Sequence, residues 1–201
     1  MTEREKMLAG QLYNPTDPEL ATLSKKARQV CIEYNKTTED EKDKRYELLH
    51  SLLKSHKKNF YVEPNIRFDY GCNTSIGENF YANFNSVILD VAPVTIGDNV
   101  MFGPNVTIAT PVHPLVADER IMQQYPDGLH DLEYAKPITI CDNVWLASGV
   151  IVNGGVTIGK DSVIGSGSVV TRDIPEGVIA VGNPCRVLRK ITDKDRMFKR
   201  S

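Results

Sequence analysis

The feature that most constrains the fold of this chain is an aliphatic residue that recurs at every sixth position. The longest run comprises Ile140, Leu146, Val152, Ile158, Ile164 and Val170. Two shorter runs comprise Ile96, Phe102 and Ile108 and, after a slip of two residues, Ile76, Ala82 and Ile88. Because 41% of the chain is apolar, six successive matches arise by chance in about 0.5% of cases in one phase and in roughly a few per cent over all six phases. The six-residue period therefore indicates a repeating fold.

A unit of six residues is too short for a helix, but it suits one short strand followed by a corner. The residue after the aliphatic position is small or turn-forming in most units, as at Gly77, Gly97 and Gly159. Glycine and asparagine tolerate the unusual backbone angles that a corner needs. Stacked units of this kind predict a parallel β-helix with the aliphatic side chains inside. A β-sandwich would instead show a period of two and turns roughly every 8 to 12 residues, which this segment lacks.

The first sixty residues have a different composition, rich in Lys, Glu and Leu, and we place the boundary near Tyr61. A short helix is expected from Glu3 to Ala9. Asp17 can cap a second helix that has Pro18 at its first position. Apolar residues at helical spacing then continue this helix to about Asn35.

A third helix is predicted from the capping-box pattern of Thr38 and Glu41, and its apolar stripe reaches about Ser55. The apolar stripes of the three helices are narrow, so we expect the helices to pack on the rest of the chain. The predicted organisation is an N-terminal helical segment at 1–60, a β-helical domain at 61–190 and a C-terminal tail at 191–201.

One interval breaks the six-residue register. Ile108 and Ile140 are 32 residues apart, which is five units plus two, and the residues at about 110–137 contain no hexad. Long excursions from a compact domain are usually functional or disordered. This one carries His113 and His130, two of the four histidines, and it is expected to leave the stack of coils.

Composition and charge exclude several classes of protein. The chain has 24 Lys and Arg and 26 Asp and Glu, for a formal charge of −2, so it lacks the general basic face of a nucleic-acid-binding protein. No stretch approaches the roughly 20 apolar residues of a membrane span. The charged N-terminus has no apolar core of a secretory signal, and the expected location is cytoplasmic. The four cysteines have no C-x-x-C spacing, so they predict isolated thiols rather than a disulfide scaffold or a zinc site: Cys31, Cys72, Cys141 and Cys185.

Longer motifs surround the hexads. They include EKMLAGQLYNPTDPEL at the N-terminus, the NFYANFN segment, the VHP of the excursion, KPITICDNVWLASGVIVNGGVTIG, and the closing GNPCRV. Together these motifs, which span nearly the whole chain, resemble the maltose and galactoside O-acetyltransferases, a family of hexapeptide-repeat acyltransferases.

This resemblance implies a mainly β fold, a left-handed parallel β-helix of hexapeptide repeats with a small N-terminal α-helical segment. It implies a homotrimer with active sites between adjacent subunits. The implied reaction is direct transfer of acetyl from acetyl-CoA to a hydroxyl of a sugar such as maltose, glucose or a galactoside. No metal, nucleic acid or membrane is expected to take part.

The resemblance also implies the residues that carry the reaction. His113 precedes a proline in the excursion, at the position of the family's catalytic histidine, and a neutral imidazole can remove a hydroxyl proton. Asn83 aligns with a position that binds a hydroxyl or the oxyanion, and Glu133 is expected to orient His113 or to contact the acceptor. Asp69 and Tyr81 align with positions that face the acceptor sugar.

Six residues match positions that contact coenzyme A in the family, and they are Ser148, Ser166, Thr171, Arg172, Arg186 and Arg189. Backbone groups near the two serines are expected to hold the pantetheine arm. The guanidinium groups suit the phosphates of the nucleotide. The sequence has no G-x-x-x-x-G-K-[ST] loop, so phosphate binding would not use a P-loop.

Two alternatives stay open. One is a related hexapeptide acetyltransferase with a non-sugar acceptor, an antibiotic or serine, and the other is a non-catalytic β-helical scaffold. A γ-class carbonic anhydrase is disfavoured because only His113 and His130 lie in the β-helical region, too few for its metal site. A nucleotidyltransferase would need a separate nucleotide-binding domain, for which the chain has no room.

Overall fold

The hexads fold into short strands that recur three to a coil. A computed structural model describes residues 1–198 of the protein. The helices of these residues are α1 (Glu3–Leu8), α2 (Pro18–Asn35), α3 (Lys42–His50), α4 (Ala117–Arg120) and a 3-10 turn at Asp193–Asp195. Their strands are β1 (Ser55–His56), β2 (Phe60–Val62), β3 (Arg67–Phe68), β4 (Thr74–Ile76), β5 (Phe80–Ala82), β6 (Val87–Leu89), β7 (Val94–Ile96), β8 (Met101–Phe102), β9 (Thr107–Ala109), β10 (Pro111–Val112), β11 (Gln123–Tyr125), β12 (Gly128–His130), β13 (Tyr134–Ala135), β14 (Ile138–Ile140), β15 (Trp145–Leu146), β16 (Ile151–Asn153), β17 (Thr157–Ile158), β18 (Val163–Ile164), β19 (Val169–Val170), β20 (Val178–Val181) and β21 (Arg186–Lys190).

Three long sheets form the three faces of the solenoid. Face one has the strand order β1-β4-β7-β14-β17, face two β2-β5-β8-β15-β18-β20-β21, and face three β3-β6-β9-β16-β19. The coils stack through parallel pairing, and at the C-terminal end β21 returns antiparallel to β20. The chain passes from face one to face two to face three in each coil. The predicted mainly β fold, a parallel β-helix, is confirmed.

The aliphatic hexad positions form the core of the solenoid. All six residues of the longest run, from Ile140 to Val170, are 0% exposed. Pairing in register places Ile76, Ile96 and Ile140 in one column. Burial of each such side chain is worth about 1.5–3 kcal/mol, and the column gives each coil a partner above and below it.

Asparagines make many of the corners. Asn85 and Asn105 have positive φ angles of 62° and 61°, and the Nδ2 of Asn85 donates to the Oδ1 of Asn105 at 3.2 Å. The positive φ angles fall two positions after the small residue that the sequence pattern had suggested for the corner. That small residue serves close packing instead, because a Cβ on Gly77 would lie 2.4 Å from the carbonyl carbon of Gly97.

The first two helices agree with the sequence prediction; α2 packs on the first coil, and α1 packs on α2 and on β13 of the excursion. The carboxylate of Asp17 caps α2 by accepting from the N–H of Glu19 at 2.9 Å. At the other end of α2, the hydroxyl of Tyr34 donates to the carbonyl oxygen of Val62 at 2.6 Å. Ala27, Val30 and Tyr34 belong to the same apolar core as the hexads, so the helices pack on the solenoid as expected.

The prediction for the third helix was wrong at both ends. The backbone N–H of Thr38 donates to the Glu41 carboxylate at 2.8 Å, but the two residues form a turn before the helix, which begins at Lys42. The helix ends at His50, and Ser55 already pairs with Ser75 in the first strand of face one. The first coil thus begins within the segment that the sequence assigned to helices.

The excursion leaves the stack where the register predicts. Its first and last strands, β10 and β13, pair antiparallel, and β11 and β12 form a hairpin between them. Since β14 pairs directly with β7, the coils on either side of the excursion stay stacked. Among residues 1–198, no helix is long and apolar enough to cross a membrane, and the cytoplasmic location stays a prediction.

Candidate active site

The excursion brings His113 and Glu133 together at the corner between face three and face one. Val112 pairs with Tyr134 across β10 and β13, so the residues that flank this pair lie side by side. The Nε2 of His113 lies 3.6 Å from the Oε1 of Glu133. The side chain of His113 is 47% exposed and that of Glu133 only 15%, so the imidazole can meet a ligand while the carboxylate supports it from behind.

Glu133 is held by the loop that follows α1. The backbone N–H of Tyr13 donates to the carbonyl oxygen of Glu133 at 3.0 Å, and the N–H of Glu133 donates back at 3.2 Å. The Tyr13 hydroxyl donates to the Oε2 of Glu133. Burial raises the pKa of Glu133, while the hydrogen bond from Tyr13 and the charge of His113 act in the opposite direction.

A cavity of about 560 Å³ opens beside Glu133. Its walls come from α2, the loop before it, and the corner at Asp69, and they comprise Pro15, Leu20, Ala21, Ser24, Lys25, Arg28, Asp69, Tyr70, Val91 and Glu133. Burial raises the pKa of Asp69, and the charge of Arg28 lowers it. Most of these lining side chains are polar or charged, so the cavity suits a small molecule that forms many hydrogen bonds. The structure therefore brings His113, Glu133 and Asp69, three of the predicted residues, to one place.

Asn83 and Tyr81 lie elsewhere in the same chain. Asn83 follows β5 and lies at the corner between face two and face three, whereas His113 lies at the corner between face three and face one. The Oδ1 of Asn83 accepts from the N–H of Phe84 at 2.8 Å, which leaves its NH₂ group as a donor. Tyr81 points outward from face two, and its ring stacks on that of Tyr61 with 6.2 Å between the ring centroids. A single copy of the chain does not join these residues to His113.

Ser148 and Ser166 lie on the same corner of the solenoid as Asn83, in later coils. The N–H of Gly149 donates to the carbonyl oxygen of Pro104, and the N–H of Gly167 donates to that of Ser148, both at 2.8 Å. Both serines are exposed, and they form a ridge along this corner. Trp145, three residues before Ser148, points outward from face two and is 46% exposed.

The remaining predicted residues lie at the C-terminal end of the solenoid. Thr171 and Arg172 are exposed directly after β19. The Nη1 of Arg186 donates to the carbonyl oxygen of Cys185 at 2.7 Å. Arg189 makes a bidentate ion pair with Asp195 at 2.6 and 2.8 Å, so a phosphate would have to compete with this carboxylate.

Sequence reasoning missed Tyr13, Lys25 and Arg28. The two cations stand three residues apart on α2, a spacing that places them on one face of a helix, but nothing in the sequence says that this face borders a cavity. No sequence signal joins Tyr13 to Glu133, which lies 120 positions later. Within residues 1–198, no three His, Cys, Asp or Glu side chains lie close enough to hold a metal ion, and the expected absence of a metal stays a prediction.

Three family models match the chain. A maltose acetyltransferase hexapeptide capping motif matches residues 6–57, a bacterial transferase hexapeptide model of six repeats matches residues 137–172, and a hexapeptide repeat of succinyl-transferase matches residues 93–113. These segments correspond to the helices with the start of the first coil, the coils after the excursion, and the coil before it.

Whole proteins are similar over nearly their full length. Galactoside O-acetyltransferase of Escherichia coli is 43% identical over 198 residues, which are 98% of this chain and 93% of the relative. A crystal structure of a maltose O-acetyltransferase from Clostridium difficile 630 is 48% identical, with a TM-score of 0.89 over 96% of this chain and 99% of that one. A galactoside acetyltransferase in complex with coenzyme A is 43% identical, with a TM-score of 0.89 over 99% and 96% of the two chains. The chain therefore belongs to the maltose and galactoside O-acetyltransferase family of hexapeptide-repeat acyltransferases.

Proposed function

We propose that this protein transfers an acetyl group from acetyl-CoA to a hydroxyl of a sugar, with His113 as the general base. The observation that carries the proposal is the pair of His113 and Glu133 beside the cavity that Asp69 also lines. A base must lie within reach of the proton it removes, and the exposed imidazole of His113, 3.6 Å from the Glu133 carboxylate that lines the cavity, supports this role.

The reaction needs no covalent intermediate on the protein. His113 takes the proton of the acceptor hydroxyl as the hydroxyl oxygen forms a bond to the carbonyl carbon of the thioester. The carbon–sulfur bond then breaks, and the sulfur of coenzyme A leaves as the thiol after it receives that proton. The Glu133 carboxylate stabilises the imidazolium formed in between, because opposite charges attract strongly in a partly buried site. The NH₂ group of Asn83 is a suitable donor for the oxyanion.

The cavity suits a polyol acceptor. Ser24, Lys25 and Arg28 on one side and Asp69 on the other offer both donors and acceptors of hydrogen bonds, while Tyr70 supplies an apolar wall. A volume of about 560 Å³ lies within the range of roughly 300–1,000 Å³ that is usual for small-molecule sites. The names of the relatives, maltose and galactoside acetyltransferases, point to the same substrate class.

The ridge of Ser148 and Ser166 is the proposed path of the pantetheine arm. A relative of 43% identity was solved in complex with coenzyme A, and the ridge in this chain is exposed and lies on the same corner of the solenoid as Asn83. Thr171, Arg172 and Arg186 lie near its C-terminal end and are the proposed contacts of the nucleotide, together with Arg189 once Asp195 releases it.

A homotrimer completes the proposed site. His113 and Asn83 occupy different corners of one solenoid, so a site that uses both needs the Asn83 corner of a neighbouring copy. A heterologous contact of one corner with the next closes into a ring under threefold symmetry. Face two also exposes apolar side chains that such a contact would bury, with Met101 49% and Trp145 46% exposed.

A non-sugar acceptor is the second candidate. The charged residues Lys25 and Arg28 at the cavity would also suit the carboxylate of serine, so an acceptor panel has to include it. A scaffold without activity is disfavoured by the partly buried Glu133 beside an exposed histidine, because an inert solenoid has no need of that pair.

The deciding experiment is the release of coenzyme A from acetyl-CoA in the presence of maltose, glucose, galactosides, serine or chloramphenicol. We expect release with a sugar, and a loss of at least about 100-fold in His113→Ala, since general-base catalysis contributes roughly 10²–10⁴-fold. His50→Ala, which removes another exposed histidine, is the matched control and should keep full activity. Release that survives in His113→Ala would contradict the assignment of the base, and no release with any acceptor would leave the proposed function without support.

A further inference from the structure

Tyr13 is a buried residue that contacts Glu133, the carboxylate beside the candidate base His113. It is 1% exposed and lies in a small apolar cluster with Met7, Leu20 and Tyr70, apart from the core of the solenoid. Its hydroxyl donates to the Oε2 of Glu133. A phenylalanine would fill the same space in this cluster, so the role of the hydroxyl is its hydrogen bond to Glu133.

The contact with Glu133 has two parts. The two backbones exchange N–H···O bonds of 3.0 and 3.2 Å, which place the Cα of Glu133. The phenol hydroxyl then occupies Oε2, so that Oε1 is the oxygen that faces His113 at 3.6 Å. The side chain of Glu133 is thereby fixed at both ends, and its free oxygen is directed to the imidazole.

The segment that carries Tyr13 is itself anchored. The backbone N–H of Asn14 donates to the Oε2 of Glu3 at 2.6 Å, and the Nδ2 of Asn14 donates to Asp127 in the excursion at 3.0 Å. Asn14, the neighbour of Tyr13 in the chain, thus ties this loop both to α1 and to the excursion. A phenol held in this way loses little further entropy when it orients its partner.

The charges around Glu133 explain why a donor is needed there. Burial favours the neutral acid, and the carboxylates of Asp69 and Asp131 act in the same direction, whereas Tyr13 and His113 favour the carboxylate. Burial and the neighbouring Glu133 also raise the pKa of Tyr13, so the phenol keeps its proton and stays a donor. The positive charge of Arg28, which also lines the cavity, lowers the pKa of Asp69 against the effect of burial.

We propose that Tyr13 is a positioning residue for catalysis, which holds Glu133 ionised and aimed at His113 through its hydroxyl. This inference rests on the proposed function, since it concerns the proton transfer at His113. It assigns to the N-terminal segment a part in the chemistry, in addition to its covering of the first coil.

The test is the Tyr13→Phe variant, which keeps the ring and removes only the hydroxyl. We expect kcat to fall about tenfold and the KM for acetyl-CoA to change less than about twofold, because a hydrogen bond to a charged group is lost away from the ridge of Ser148 and Ser166. The acid limb of the pH profile should move up by about one unit, since Glu133 without its donor takes up a proton more readily.

Tyr34→Phe is the matched control. It removes the hydroxyl of another buried tyrosine, whose acceptor is the neutral carbonyl oxygen of Val62 at 2.6 Å, remote from His113. We expect it to lower the thermal stability without moving the pH profile. An equal shift of the profile in both variants would mean that Tyr13 acts through stability alone and would overturn the proposal.

A double-mutant cycle separates action through Glu133 from a direct effect. If Tyr13 acts through Glu133, Tyr13→Phe should change kcat less than about twofold in a Glu133→Gln background. Additive losses would contradict the proposal. NMR titration of the Glu133 carboxyl carbon provides a reading that needs no turnover, and an unchanged titration in Tyr13→Phe would also contradict it. Failure of the native protein to release coenzyme A with any acceptor would count against the proposed function instead.

Discussion

Asp90 is a buried carboxylate that shapes the loop beside the candidate acceptor cavity. It is 0% exposed, and its Oδ1 accepts from the N–H groups of Tyr70 and Gly71 at 2.9 and 3.0 Å. Its Oδ2 accepts from the N–H of Asn73 and the hydroxyl of Thr74 at 3.2 and 3.0 Å. Burial raises the pKa of Asp90 to about 6 against the effect of these donors, so the group is ionised at neutral pH. The loop that presents Asp69 is thus built around one negative charge.

Replacement of Asp90 by asparagine should destabilise the protein strongly for so small a change. In Asp90→Asn, an NH₂ group would replace one carboxylate oxygen and face the two donors that this oxygen now accepts from. Each buried donor left without a partner costs about 1–3 kcal/mol. We expect the free energy of unfolding at pH 7.5 to fall by about 2–4 kcal/mol in urea denaturation. The control is Asp173→Asn, because Asp173 is exposed and accepts from the N–H of Thr157 at 2.7 Å, a bond that asparagine can keep. A similar loss in both variants would refute this account.

At the scale of the elements, the hexads could be predicted because the only requirement at each inward position is an aliphatic side chain. Ile140 and Val152 meet only aliphatic neighbours, so their burial depends on period and side-chain type, which the sequence shows directly. The caps of α2 are equally local, since Asp17 and Pro18 act within one turn. The strand at Ser55–His56 could not be predicted in this way, because it has no inward apolar residue of hexad type and exists through its pairing with β4.

The excursion hairpin depends on a histidine that only the structure explains. The side chain of His130 is 3% exposed, and its Nε2 lies 3.0 Å from the Oδ1 of Asp127. Its Nδ1 lies 2.7 Å from the carbonyl oxygen of Asp131. Both partners are acceptors, so the ring satisfies both when it is the doubly protonated imidazolium. Burial by itself would lower the pKa of His130, but the hydrogen bonds to Asp127 and Asp131 and the charges of Asp127 and Glu3 outweigh it and raise the pKa.

This arrangement predicts that the hairpin is more stable in mild acid. A raised pKa in the folded state gives stability that is complete below the unfolded value of about 6.5 and is lost as the pH rises through the folded value. Hydrogen exchange of the amides of β11 and β12, corrected for the intrinsic rate, should therefore show less protection at pH 8.5 than at pH 6. In His130→Gln this difference should vanish. A native hairpin with the same protection at both pH values would show that His130 is neutral throughout.

At the scale of the whole molecule, only half of the candidate site could be predicted from one sequence. His113 could be predicted because its motif consists of adjacent residues. Glu133 could be predicted because it lies close to the point where the chain re-enters the stack of coils. Whether Asn83 meets His113 depends on how copies of the solenoid pack, because the two residues occupy different corners. Tyr13 could not be found, since its role depends on a contact across 120 positions. Sequence patterns identify residues by their neighbours along the chain, and these contacts are made in space.

The proposed trimer leads to a prediction that uses two inactive proteins. His113→Ala lacks the base, and Asn83→Ala lacks the donor that we place at the neighbour's corner; loss of such a donor costs about 10²–10³-fold in rate. When the two variants are unfolded, mixed in equal amounts and refolded, a site is intact only if one subunit supplies His113 and the next supplies Asn83. Random assembly gives this combination in about one quarter of the sites. We therefore expect about 25% of native coenzyme A release, and none after refolding of either variant alone or of the double variant. Absence of any recovery in the mixture, with trimers present by light scattering, would show that His113 and Asn83 do not serve a shared site.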